Sequence, residues 1–140
     1  MTWLRMLVVA LLLASPARAA DPEPELLRAG FSLERPWPEA ARRGGYDRTD
    51  FTLYSPGLAF WVDVAHLTQG DHLVLSLKSP DGALLAARDI PFGRPTDRFF
   101  AFAGARHPSR GWQSGRYIGR VQVIRGDQIL IEETHQIALP

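Results

Sequence analysis

The chain of 140 residues contains no cysteine, which excludes disulfides, thiolate nucleophiles and cysteine-held metals at once. Its two methionines, Met1 and Met6, both lie in the first twenty residues. No charge sign dominates, with 16 basic side chains against 15 acidic ones and a formal net charge of +1. Overall charge therefore points to no partner class. Histidine is scarce: His66, His72, His107 and His135 are the four. No two of them are separated by one residue, and none stands four residues before an aspartate. No serine sits in a Gly-x-Ser-x-Gly elbow, and neither a phosphate-binding glycine loop nor a heptad repeat appears. The adjacent pair Glu132 and Glu133 would leave opposite faces of a strand, whereas acid–base work needs two carboxyls aimed at one point. No catalytic set is legible, and the expectation is a protein that is not an enzyme.

Long apolar runs are missing too. Residues 6–14 give nine apolar positions, too few for a bilayer core of about 30 Å. Arg5 precedes that run, and Ala17 and Ala19 follow it in the small-x-small pattern read by signal peptidase. Residues 1–19 are expected to be a signal peptide, cut between Ala19 and Ala20. The product would be periplasmic or secreted, with no transmembrane anchor after cleavage. About 120 residues would remain, enough for one domain with its own core. Losing Arg5 and Arg18 takes the 16 basic side chains to 14 against 15 acidic, a net charge of −1.

What the sequence does have is a period of two. Residues 20–49 are interrupted by Pro22, Pro24, Pro36, Pro38 and the pair Gly44-Gly45. This segment has room for a short first strand around Leu26, Leu27 and Phe31, and for one helical turn over 39–43. From residue 50 to 140 a β-sandwich core is expected. Leu58, Phe60, Val62 and Val64 share one strand face, with Ala59, Trp61, Asp63 and Ala65 on the other. Leu73, Leu75 and Leu77 point inward in the next strand, and His72, Val74, Ser76 and Lys78 outward. Ser79-Pro80-Asp81-Gly82 reads as a turn. ALLAARDI and RFFAFAG supply two more strands. Tyr117, Val121 and Val123 then face inward, and Ile129, Ile131 and Ile137 continue an apolar face after the Gly126-Asp127 turn. About seven short strands without a long helix indicate an all-β, antiparallel, immunoglobulin-like sandwich.

RHPSRGWQSGRYIGR, residues 106–120, sets Trp112 and Tyr117 among arginines and glycines. One reading is a corner before the penultimate strand, with the Tyr117 ring in the core, its hydroxyl on nearby backbone, and Trp112 closing the end of the sandwich. The other is an exposed aromatic platform. Between residues 94 and 125 seven arginines face a single acid, Asp97. Arg94, Arg98, Arg106, Arg110, Arg116 and Arg120 are the candidate basic surface for an anionic partner, the alternative being solvated loop and edge residues. Arg125 breaks the outward parity of Arg116 and Arg120. His66, Asp71 and His72, gathered near one turn, are the remaining candidates for metal ligands.

LLRAGFSLERP, SPGLAFWVDVAHLTQGDHLVLSLKSPDGALL and GWQSGRYIGRVQVIRGDQIL together resemble a β-sandwich module that follows the catalytic domain in some lysostaphin-like (LytM-type) zinc endopeptidases of Gram-negative bacteria. The resemblance runs from about residue 26 to 139. It is carried by AGF at 29–31, GD at 70–71, PDG at 80–82 and GWxxGxYxG at 111–119. Those peptidases bind zinc through His-x-x-x-Asp and His-x-His; the nearest approach here, His66 to Asp71, is five apart, so the catalytic activity does not carry over. The resemblance implies a setting in cell-envelope or peptidoglycan metabolism. The reading is thus an exported, non-catalytic binding or interaction module whose partner is an envelope protein or peptidoglycan, with no cofactor and no nucleic acid. The alternative is a small periplasmic metal (copper) carrier, although neither methionine would survive cleavage and the new terminus lacks histidine. A hydrolase with an unrecognised site is a third reading.

Overall fold

A computed structural model describes residues 22–140. The expected signal peptide and its cleavage position lie outside the described residues. Seven strands and one short helix follow in chain order: β1 Glu25–Ser32, α1 Pro38–Arg42, β2 Gly57–Leu67, β3 Asp71–Lys78, β4 Leu84–Pro91, β5 Thr96–Arg106, β6 Gly115–Arg125 and β7 Gln128–Leu139. All pairings are antiparallel. They form a three-stranded sheet, β1-β2-β5, and a four-stranded sheet, β4-β3-β6-β7. This is the expected immunoglobulin-like sandwich. The fourth strand joins the sheet of β3 and β6, whereas in constant-type immunoglobulin domains it shares the sheet of the first, second and fifth strands.

The core is the layer between the sheets, and the period-two reading places it correctly. Leu58, Phe60, Val62 and Val64 from β2 meet Leu73, Leu75 and Leu77 from β3, and Tyr117, Val121 and Val123 from β6, all at most 1% exposed. Gly119 shares the inward parity of β6, and its missing side chain is required. A Cβ there would stand 2.4 Å from the Phe60 ring. The vacancy lets Phe60 reach across and contact His135, with centroids 5.8 Å apart.

Two bulges alter the simple alternation. The β1–β2 register shifts between Leu26 and Arg28, so Leu26, Ala29 and Phe31 pack on the core while Leu27 is exposed. The β6–β7 register shifts between Val123 and Ile124. That extra residue reverses parity: Ile131 faces the core, whereas Ile129 pairs with Ile124 and is exposed. The apolar face expected of Ile129, Ile131 and Ile137 is therefore broken at Ile129.

β2 is buried on both faces. Ala59, Trp61, Asp63 and Ala65 do lie on its outer face, but the segment 33–56 covers them as a third layer. Trp61 stacks on Phe100 at 5.8 Å and meets Tyr46 at 6.2 Å. Ala41 of α1 is fully buried. Arg28 holds this layer down, donating to the Arg42 carbonyl at 3.0 Å and to Asp47 at 2.9 Å. The expected helical turn over 39–43 thus forms as α1, and residues 25–56 are integral to the sandwich.

Candidate functional site

The segment 106–120 resolves into a structural corner followed by a basic strand. Tyr117 is 1% exposed, and its hydroxyl donates to the Gln113 carbonyl at 2.8 Å. Trp112 is also buried and donates its indole N–H to the Ser55 carbonyl at 2.8 Å. Phe51 sits edge-on to both rings, with centroids 5.1 Å away in each case. Burial pushes the Tyr117 phenol above its ordinary value. Gly115 adopts a φ of 129°, and a Cβ there would meet Pro80 at 2.8 Å, so the corner needs glycine sterically. The aromatics are core, and the exposed-platform reading does not apply to them.

The six candidate arginines do not form one surface. Arg98, on β5, projects from the outer face of the three-stranded sheet and binds Asp63. Its Nε lies 3.1 Å from both carboxylate oxygens. Arg42 reaches the same carboxylate from α1, with Nε 3.2 Å from Oδ2. Asp63 is fully buried, while the two arginines are partly exposed. Burial alone would raise its pKa; the hydrogen bonds from Arg98 and then Arg42, with their charges, overcome that and hold the carboxyl below its ordinary value. Arg98 is therefore engaged in binding a buried carboxylate within the fold. Arg106 also lies on the three-stranded side, at the end of β5. Arg94 stands in the β4–β5 connection, and Arg110 lies in the β5–β6 connection beside Trp112 and Gln113.

Arg116 and Arg120 remain together. They occupy the outer face of β6, two residues either side of Ile118, which pairs with Lys78 of β3. Cross-strand neighbours are about 5 Å apart and next-but-one residues along a strand about 7 Å. Lys78 is thus a diagonal neighbour of both Arg116 and Arg120, which stand about 13 Å apart along β6, and the three form an open cationic triangle of exposed residues on the outer sheet face. Arg120 is paired with Glu132 of β7 at 2.9 Å, and Gln122 donates to the same carboxylate at 3.0 Å. The hydrogen bonds from Gln122 and then Arg120 hold the Glu132 carboxyl below its ordinary value. Lys78 and Arg116 make no ion pair with any described residue. Lys78 was legible only as an outward residue of β3; its place in the cluster depends on the β3–β6 register, which no local signal specifies.

The proposed metal ligands are not brought together. Asp71 is fully buried and bound by Arg125, whose Nε stands 2.8 Å from Oδ1. The Thr68 N–H donates to the same carboxylate at 2.8 Å. Burial raises the Asp71 pKa, and the Arg125 and Thr68 hydrogen bonds outweigh it, so the carboxyl lies below its ordinary value. Arg125 thus departs from the line of Arg116 and Arg120 to close the end of the core. His72 turns to Asp89 at 2.8 Å, while His66, at φ 62°, points to solvent. Among the described residues no three histidine, aspartate or glutamate side chains converge on one point.

No protein-family model matches the chain, and no curated protein matches it. Similar solved structures exist. One is the β-glucuronidase of Parabacteroides merdae, with a TM-score of 0.51 and 9% identity, over 84% of this chain and 14% of that one. The same enzyme with glycerol in its active site gives 0.50 and 11% identity, over the same shares of the two chains. A glycosyl hydrolase family 2 member from Bacteroides cellulosilyticus covers 59% of this chain and 12% of that one, with a TM-score of 0.43 and 11% identity. The chain spans only a domain-sized part of these enzymes. At such identity the likeness to the β-glucuronidase is one of fold alone.

Proposed function

We propose that the protein is an exported, non-catalytic immunoglobulin-like module of the bacterial cell envelope, and that its cationic β6 face binds the stem carboxylates of peptidoglycan. The observation carrying this reading is the triangle of Lys78, Arg116 and Arg120, in which two of the three cations have no acidic partner among the described residues. A guanidinium can hold a carboxylate through two parallel hydrogen bonds, and a rigid sheet fixes the spacing of such groups. The resemblance to the accessory module of LytM-type peptidases supports the envelope setting. The leader-like first 19 residues support export, and intact-mass analysis of periplasmic material should find a chain beginning at Ala20.

Sedimentation with purified sacculi tests the binding. Exposed ion pairs are individually weak, so the Arg116→Ala/Arg120→Ala double variant is the informative one. Wild-type protein should pellet with sacculi at low salt and be released near 1 M salt, where the Debye length is about 3 Å. The double variant should pellet less at low salt. Equal pelleting of both proteins at every salt concentration removes this face from the mechanism, and no pelleting of wild type removes peptidoglycan as the partner.

A further inference from the structure

A second site of different chemistry lies on the opposite side of the sandwich. At one end of the three-stranded sheet, β2 and β5 present small residues outward: Gly57 and Ala59 on β2, and Gly104 beside Ala59 on β5. Phe102 rises at one end of this floor, and the chain at 33–35 crosses one side. The result is a groove of about 280 Å³ with a mainly apolar lining. The concavity is built in, because the strands and the crossing chain pack too closely to admit larger residues. A Cβ on Gly104 would come 2.9 Å from that of Ala59, and one on Gly57 would lie 3.3 Å from the Leu33 carbonyl oxygen.

Arg35 and Arg106 both line this groove. The Arg35 guanidinium lies over the Phe102 ring, 5.9 Å from its centroid. That contact holds it in place while its in-plane N–H donors remain available to a ligand. Neither arginine makes an ion pair with a described residue, and neither is bonded to Glu34 on the same rim. Elsewhere in the molecule Arg28, Arg42, Arg98, Arg120 and Arg125 each face an acid. Two uncompensated guanidiniums beside an apolar hollow are complementary to an anion carrying an apolar body. Size limits that body. A closed cavity of about 150 Å³ accepts a benzene ring, and this open groove has room for one ring with a short acidic arm. It falls just below the range of about 300–1,000 Å³ that holds drug-sized ligands.

We propose that the groove binds carboxylates bearing a single ring-sized apolar group, the ring lying on Ala59 and Gly104 and the carboxylate taken by Arg35 and Arg106. A free aryl acid and the carboxyl terminus of a peptide ending in an aromatic residue share this chemistry. The site is independent of the β6 face, so either can fail alone.

Titration of the ¹⁵N-labelled full chain followed by NMR tests it, with 3-phenylpropionate and its uncharged amide as probes. The acid should shift the amides of Gly57, Ala59, Gly104 and Arg106 saturably. The amide should bind the same residues at least about tenfold more weakly, as loss of charge-assisted hydrogen bonds implies. Arg35→Gln/Arg106→Gln should bring the acid down to the affinity of the amide while leaving the rest of the spectrum in place. Gly-Gly-Phe as free acid and as amide separates the two sources: tighter binding of the peptide acid than of 3-phenylpropionate assigns the site to a chain terminus, and the reverse to a free acid. Equal binding of acid and amide overturns the proposal. So does an acid that shifts only the Lys78, Arg116 and Arg120 face, or neither face up to its solubility limit.

Discussion

Removing both cations from Asp63 should cost far more than removing them one at a time. The carboxylate has no exposure of its own, whereas the side chains of Arg42 and Arg98 are 33% and 46% exposed. Either arginine alone still neutralises the buried charge, so Arg42→Ala and Arg98→Ala are each expected to cost little, because solvent screens the half-open partners. The double variant leaves a bare buried carboxylate, and its cost should reach about 3–5 kcal/mol at pH 7. The excess over additivity falls in the range found for residues sharing one network. The acid dependence carries the sharper signature. In wild type the Asp63 pKa is lowered, so its contribution is full above the unfolded value of about 3.8 and is lost as pH falls through the folded value. Without the arginines only burial remains, which raises the folded pKa. The unfolded chain then holds fewer protons than the folded one, and stability increases as pH falls from neutrality towards 4. Urea melts of all four proteins at pH 7 and pH 4.5 measure both effects. A double variant that is additive, and whose deficit is the same at both pH values, would refute the argument that one shared buried charge couples α1, β2 and β5.

Three further outcomes follow from the packing. Tyr117→Ala should cost about 3–5 kcal/mol in a denaturant melt, and Tyr117→Phe about 1 kcal/mol because the Gln113 carbonyl loses its donor; a loss below about 1 kcal/mol for the alanine variant would place the ring outside the core. Gly119→Ala should cost about 1–3 kcal/mol through the clash with Phe60, and combining it with Phe60→Leu should be cheaper than the sum of the two changes. His66→Gly should leave stability unchanged or raise it by up to about 1 kcal/mol, since His66 holds a positive φ; a clear loss would mean that its side chain has a packing role.

The sheet core was readable because alternation is a local signal. The residues named as inward in β2, β3 and β6 follow period two, and GWxxGxY marks the tyrosine corner; the alternation fails at the end of β2, where His66 is exposed at a positive φ and Leu67 is buried instead. Local alternation also fails at a one-residue insertion, which has no marker of its own. Ile129 differs in no local respect from Ile131, and only the bulge against Ile124 turns it outward. The third layer was legible in part. GLAFWVDVA is apolar on both parities, as expected of a strand covered on both faces, and a lone aspartate in such a run needs a cation. What the run could not say is that the cation would come from EAARR and from β5.

Arginine position is the least local property of all. Arg98, Arg116, Arg120 and Arg125 look alike as a cluster in sequence, yet the fold sends them to three environments. Strand parity separates Arg125 from Arg116 and Arg120, but sheet membership separates Arg98 from both, and sheet membership depends on pairings between distant segments. An arginine count over a segment therefore measures potential charge and not a surface. The register between β3 and β6 converts it into one, by setting Lys78 beside Ile118, and the buried carboxylates Asp63 and Asp71 subtract from it by holding Arg98 and Arg125. Among the described cations that make no ion pair, Lys78 and Arg116 lie on the β6 face, and Arg35 and Arg106 lie around the groove on the opposite sheet. A flat face presents charge to an extended polyanion, whereas the groove adds an apolar floor. The two proposed sites should therefore discriminate ligands by shape, although both would take carboxylates.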